Sequence, residues 1–275
     1  MNMDPRELIR AGKLGVARQA LTEAVKRAPS DASTRTLLFQ VLVLFGEWEK
    51  ALRHADVIAA QSAKAEIGVQ VYRNIIAAEQ ERSAVTRSER RPSFLPKAPD
   101  YAEIYFSALA SIEGGDTAGA EAHFARAEAM RGEVAGTRGG RKFVGFADTD
   151  SRLSCFLEAF VHERYVWIPM DAVRELVVDP PASLFDLIWA AGRVTTWDGL
   201  TLNCFLPAIY PGSSAHADDR IKMGRMTEWK PLGGPFSQGM GQHVYQIGEE
   251  EVPLLEIGEV FFNAPAADAG GEGHD

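Results

Sequence analysis

The stretch Gly12-Lys-Leu-Gly-Val-Ala17-Arg-Gln-Ala-Leu21-Thr-Glu-Ala24-Val-Lys-Arg-Ala-Pro29 is echoed by Gly46-Glu-Trp-Glu-Lys-Ala51-Leu-Arg-His-Ala55-Asp-Val-Ile58. The two glycines lie 34 residues apart, and a third copy begins 69 residues further on at Gly115, with Ala120, Phe124 and Ala127 in the same places. In each copy small or apolar residues stand five, nine and twelve positions after the glycine. Self-similarity at this period marks stacked supersecondary units. The glycine ends one helix and turns the chain at low steric cost. Small alanines then let the second helix pack closely on the first, and the larger residues in the frame fill the gap between repeats. Pro29 stops the second helix of the first copy.

The period and pattern resemble tetratricopeptide repeats over residues 1–131. The interval between Gly46 and Gly115 is close to two periods, so one copy is degenerate. Its stretch from Ala65 to Arg91 still reads as a helix, with Val71, Ile75 and Ala78 at helical spacing. Arg90-Arg91-Pro92 ends it, and Pro92 to Pro99 is a loop before a helix starting near Tyr101. Stacked helix pairs create a concave face suited to a peptide or a helix. In the repeat frame, Arg6, Arg10, Ser33, Thr36, Gln40 and Tyr105 face that groove. The plainer alternative is that the helices pack only on one another and on the second half.

Gly132-Glu-Val-Ala-Gly-Thr-Arg-Gly-Gly-Arg141 is polar and rich in glycine, and reads as a linker. Beyond it the period changes to two. Leu153, Cys155, Leu157, Ala159 and Val161 alternate as a half-buried strand does, and after a turn at His162-Glu-Arg164 the chain returns through Tyr165–Ile168. Val194–Trp197, Asp198-Gly199 and Leu200–Leu206 read as a hairpin with a type I′ turn, since Asp and Gly both accept positive φ. Further strands are expected at Leu176–Val178, Val244–Ile247 and Leu254–Phe262. The expected fold is therefore α+β: a tetratricopeptide-like helical domain (1–131), then a β-rich domain (142–262), then a disordered tail (263–275).

The net charge of −9 is unevenly placed: residues 1–131 hold 18 Lys and Arg against 17 Asp and Glu, the remainder 11 against 21. An acidic second half argues against nucleic acid, which needs clustered basic side chains. No run approaches the roughly 20 apolar residues of a membrane span. Met1-Asn-Met-Asp-Pro-Arg-Glu carries acids without an apolar core behind it, so it does not read as a signal peptide. With Cys155 and Cys204 the only cysteines, both within apolar stretches, buried free thiols in a cytoplasmic protein are expected.

No phosphate-binding loop, nucleophile elbow or zinc-spaced histidine pair is present, and no cofactor is implied. Gly233-Gly-Pro-Phe-Ser-Gln-Gly-Met-Gly241 reads as a flexible loop, and Tyr210-Pro-Gly-Ser213 as a type II bend. One acidic constellation has a chemical reading. Asp148-Thr-Asp150-Ser-Arg152 and His216-Ala-Asp218-Asp219-Arg220, if brought together, supply the donors of a metal-assisted hydrolase. The structural alternative, preferred here, is that these short acids cap turns and pair with Arg152 and Arg220.

Those motifs also carry a resemblance. Asp148-Thr-Asp150-Ser-Arg152-Leu153, Tyr165-Val-Trp-Ile-Pro169, Tyr210-Pro-Gly212-Ser213, Asp218-Asp219 and Thr227-Glu228-Trp229 occur in the order of the ImpE/TagJ (SciE-type) family. Arg35-Thr-Leu-Leu-Phe-Gln40 and Gly46-Glu-Trp-Glu-Lys-Ala-Leu52 are similar to its helical start, so the likeness covers residues 8–230 and leaves 231–262 unmatched. The family consists of accessory proteins of bacterial type VI secretion. The resemblance implies a tetratricopeptide-like domain and a distinct C-terminal one. It also implies an adaptor role, in which some members bind a short N-terminal helix of the small sheath subunit and modulate sheath recycling by the ClpV ATPase. It supplies no catalytic residue, and the roles of the shared Asp148, Asp150, Arg152, Tyr210, Gly212, Asp218, Asp219, Glu228 and Trp229 are open.

Overall fold

The structure, a computed structural model, describes residues 4–264. A helical N-terminal part is followed by a sheet-rich C-terminal part, giving an α+β fold. The first part holds α1 (Pro5–Arg10), α2 (Leu14–Arg27), α3 (Ala32–Leu44), α4 (Trp48–Ala59), α5 (Ala63–Thr86), α6 (Ala102–Glu113) and α7 (Thr117–Arg131). Gly12, Gly46 and Gly115 sit in the turns α1–α2, α3–α4 and α6–α7, with φ of 73°, 67° and 77°. These are left-handed positions, which explains why the repeat frame starts on glycine. Asp31, Ser62 and Asp116 cap α3, α5 and α7 by accepting backbone N–H bonds. Ala17, Ala51, Ala55, Ala120 and Ala127 are buried, as the close-packing role requires.

The degenerate copy is one long helix, α5, without a partner helix of its own. The chain after it turns instead to the sheet. Ser93–Phe94 form β1, a two-residue strand parallel to the later strand Arg164–Pro169, inside the stretch read from sequence as a loop.

The sheet-rich part begins earlier than the sequence reading placed it. The expected linker is a hairpin of β2 (Ala135–Arg138) and β3 (Arg141–Val144). Gly139 and Gly140 both have positive φ and make its two-residue turn, the type I′ geometry. The remaining elements are β4 (Phe146–Asp148), β5 (Phe156–Val161), β6 (Arg164–Pro169), β7 (Val173–Val178), β8 (Trp189–Thr196), β9 (Thr201–Pro207), a single helical turn α8 (Asp219–Lys222), β10 (Thr227–Gly233), β11 (Phe236–Gly241), β12 (Val244–Ile247), β13 (Glu250–Pro253) and β14 (Glu259–Phe262). Nine strands form one sheet in the order β1-β6-β5-β9-β8-β7-β14-β2-β3, accompanied by a three-stranded sheet β13-β12-β4 and the hairpin β10-β11.

Several local expectations change. Residues 153–155 belong to a turn, so the first alternating strand starts at Phe156. At Asp198-Gly199 only Gly199 has positive φ, and its N–H bonds Thr196 O; this is a type I turn followed by a left-handed glycine, not type I′. The glycine-rich stretch 233–241 is strand β11 with its turn. A 3-10 turn at Leu254–Glu256 precedes β14. Gly212, at φ 84° and ψ −11°, fits the type II bend at Tyr210–Ser213. The tail from residue 265 onward lies outside the described residues.

One face of the nine-stranded sheet packs with the smaller sheet around Leu157, Val166, Leu176, Val194, Leu206, Tyr245, Val260 and Phe262. The other face, along β1, β6, β5 and the start of β8, meets the helices. Their shared core joins Phe39, Val43, Ile76 and Tyr105 to Phe156, Tyr165, Trp167 and Trp189. An aromatic cluster closes this seam: Phe156 stacks on Trp167 at 4.9 Å, Trp167 stacks on Phe106, and Tyr105 meets Phe156 edge-on. A second series runs Phe39–Tyr72–Phe185–Trp189. The sheet thus packs directly on the helices along this seam.

Candidate functional site

Between α5 and the sheet lies a buried set of ionisable side chains. Arg82, on the inward face of α5, grips Glu158 of β5 with two bonds, Nε to Oε1 at 2.8 Å and Nη2 to Oε2 at 2.6 Å. It also donates to Ile209 O at 3.0 Å, and Glu79 Oε1 lies 3.5 Å from its Nη1. Trp189 Nε1 donates to Glu79 at 2.8 Å, and the Tyr165 hydroxyl donates to Glu158. His243, fully buried, faces Asp148 through Nδ1 at 2.8 Å and Glu158 through Nε2 at 3.1 Å. Burial disfavours an imidazolium there, but Asp148 first and then Glu158 outweigh it, so the His243 pKa is raised. Arg82 Nη2 also approaches His243 Nε2, at 3.1 Å. Burial likewise opposes the Glu158 carboxylate, yet Arg82 and His243 hold it below the usual range. For Glu79 burial wins, and its pKa is raised despite Arg82 and Trp189.

The Asp148–Arg152 motif braces this cluster from the sheet side. Asp148 accepts Tyr210 Oη at 2.6 Å and Asp150 N at 2.8 Å. Asp150 in turn accepts Arg152 N and Gly239 N. Burial, and then the neighbouring Asp148, push the Asp150 pKa up to about 7. Gly239 is a packing requirement, since a Cβ there would collide with the Tyr210 ring. Ser213, placed by the bend at Gly212, accepts from Gly241 N at 2.8 Å and donates to Tyr210 O.

The second half of the acidic constellation has other partners. Asp218 caps α8 and pairs with Arg220 at 2.6 Å; that hydrogen bond holds its pKa down at about 2. Asp219 accepts Gly15 N in the first turn of α2 and pairs with Lys222. His216 Nε2 faces Glu228 at 3.4 Å, and Trp229 Nε1 donates to Thr149 Oγ1. Among the described residues, no group of three or more His, Cys, Asp or Glu side chains is arranged to hold a metal ion. The hydrolase reading of Asp148, Asp150, Asp218 and Asp219 is corrected accordingly, because each carboxylate is already braced by backbone N–H groups, a tyrosine hydroxyl or a neighbouring cation.

Of the groove positions, Arg6 and Arg10 are exposed, as is Ser33, and Arg6 Nη2 donates to Ser33 Oγ across α1 and α3. Thr36 and Gln40 are half-buried on the same face of α3. Tyr105 is the correction: it is wholly buried, with its hydroxyl bonded to Ser151 O and Ser154 Oγ, because the sheet covers that part of the concave face. A cleft of about 220 Å³ remains at the seam, with Phe106, Leu109 and Trp167 at its apolar wall and Arg91 and Arg152 at its polar one. Arg91 lies 3.6 Å over the Phe106 ring.

The arrangement ties α5 to the sheet through Arg82 and Glu158. Burial pushes the Cys155 thiol up to about 11 and Cys204 to about 12, far from a thiolate nucleophile. Arg82, Glu158, Glu79 and His243 escaped the sequence reading. A signal existed for two of them: Glu158 is the lone charge inside Phe156-Leu-Glu-Ala-Phe-Val161, and Arg82 shares the helical face of Ile75 and Ala78. His243 offered none.

Comparisons with known proteins follow this architecture. A family profile described as ImpE protein matches residues 140–261, which includes the stretch after 230 that the motif likeness left out. The type VI secretion system accessory component TagJ of Pseudomonas aeruginosa is 34% identical over 267 residues, covering 94% of this chain and 91% of that protein. The crystal structure of protein VPA1032 from Vibrio parahaemolyticus superposes with a TM-score of 0.81 at 22% identity, covering 96% of this chain and 98% of that one. The latter likeness is one of fold.

Proposed function

The chain belongs to the ImpE/TagJ family, and from that premise we propose that it is a cytoplasmic, non-enzymatic adaptor of a type VI secretion system. Its tetratricopeptide-like helical module holds a short N-terminal helix of the small sheath subunit, and so adjusts sheath assembly or recycling by the ClpV ATPase. One observation carries the reading: the kinship with a type VI accessory component runs through both the helical and the sheet-rich parts. The buried ionisable groups support it, since they satisfy one another at the seam. The sheet stiffens the helical module, and the helix faces it leaves uncovered are available to a partner. Arg6, Arg10, Ser33, Thr36 and Gln40 supply a polar rim on the open end of the inner face.

Titration of the full chain with the small sheath subunit, with the same subunit lacking its N-terminal helix, and with that helix as a peptide tests the proposal. Binding of the first and third but not the second is expected. Absence of binding by both the intact subunit and the peptide would sink it.

A further inference from the structure

The repeat arithmetic leaves one helix unaccounted for. Two full periods after Gly46 would place four helices before Gly115, but only α4, α5 and α6 lie there. The first helix of the degenerate copy is α5; the second is absent, its share of the chain diverted to β1 and the seam.

The faces of α5 show where that helix is missing. Tyr72 packs on Phe39 of α3, and Arg73 pairs with Asp56 of α4 at 2.9 Å, which fixes the side turned to the preceding repeat. At about 100° per residue, Ile67, Val71, Ala78 and Val85 all lie roughly 120–160° round from Arg73, on one stripe turned the other way. The stripe has two fates. Ala78 and Val85 are buried, and Val85 shares the seam cleft with Phe106 and Leu109 of α6. Ile67 is 73% exposed and Val71 38% exposed. The C-terminal end is covered where α5 meets the sheet, whereas the described residues leave the N-terminal end open.

We infer that the bare N-terminal half of α5 is the seat of a partner helix, which completes the degenerate repeat by occupying the place of its absent second helix. This rests on the adaptor reading and assigns it a surface. The occupant is an amphipathic helix of two to three turns, presenting apolar side chains at i and i+3 or i+4 to Ile67 and Val71. The site continues an interface already built, since the same stripe is packed at its other end. A seat this short suits a reversible complex rather than an obligate one.

The test titrates the full chain and its Ile67→Glu and Val71→Glu variants with the sheath subunit's N-terminal helix peptide and with the intact subunit. Val16→Glu, at an exposed apolar position on α2, is the control. Weakening of about tenfold or more by the two α5 variants, with Val16→Glu unchanged and all melting curves alike, is the expected result. Wild-type binding that survives both α5 variants, or that is lost instead on Thr36→Arg or Gln40→Arg, would overturn the inference and leave the adaptor reading intact. No wild-type binding at all would end both. Concentration-dependent dimerisation abolished by Ile67→Glu would assign the stripe to a second copy of this chain, and so also overturn it.

Discussion

The two halves of α5 are built from one continuous helix and meet opposite surroundings. Its C-terminal half carries Glu79, Arg82 and Val85 into a buried seam, where Arg82 is matched by Glu158 and Glu79. Its N-terminal half carries Ile67 and Val71 on the same stripe into solvent. The contrast teaches that the sheet-rich part acts as an internal partner for the repeats. It occupies the space that further repeats and a bound ligand share in an open helical array, and it stops partway along α5. Where it stops, a helix from another protein has a place to begin.

That comparison can be broken first at the seam. Arg82→Ala removes the cation between two buried carboxylates, and breaking such a pair costs about 3–5 kcal/mol. Urea unfolding should show a loss of that size, partly recovered in Arg82→Leu/Glu158→Leu, where neither charge is left alone. A smaller effect follows from packing. Gly239→Ala forces a methyl group against Tyr210, and overpacking of this kind costs about 1–3 kcal/mol, read as a lowered unfolding midpoint.

The seam should also make stability depend on pH. Asp150 and His243 have folded pKa values raised above their unfolded ones, so both bind protons more tightly when folded. The contribution of Asp150 is complete below its ordinary value of 3.8 and is lost as pH rises through about 7. That of His243 is complete below 6.5 and is lost at higher pH. Glu158 acts oppositely: its contribution is present above 4.5 and is lost as pH falls through its depressed value. Raising the pH from 6 to 8 is therefore expected to lower stability, by at most about 1.4 kcal/mol per pH unit for each proton involved. Asp150→Asn should flatten the slope, which thermal melts across that range would register. The smallest effect belongs to the bare half: Ile67→Glu should change stability by no more than about 0.5 kcal/mol, because the side chain makes little contact to lose.

The helical half was legible because its determinants are local. Left-handed glycines and buried alanines recur at a fixed period, and capping acids stand before α1, α3 and α7. The sheet-rich half was legible where strands alternate beside a turn, as in β5–β6 and β8–β9, and at the short apolar runs of β12 and the end of β7. Gly132–Arg141 looked like a linker because two glycines in a polar stretch signal flexibility; pairing of β2 with β14, more than a hundred residues away, decides otherwise. The same non-local cause hid Gly233–Gly241, whose glycines let the backbone approach Tyr210 and Met226. Tyr105 was placed in an open groove by a frame that holds for repeats standing alone, and the sheet then filled that groove. The acidic motif was visible as residues but not as a brace, since its partners Tyr210, Gly239 and His243 come from three other segments.

Hydrogen exchange of the full chain with and without the intact small sheath subunit tests the adaptor claim most directly. The expected result is slowed exchange on adding the subunit, confined to the N-terminal half of α5 and its neighbours, with the sheet and the Arg82 seam unchanged. Unaltered exchange throughout the chain at saturating subunit would contradict it.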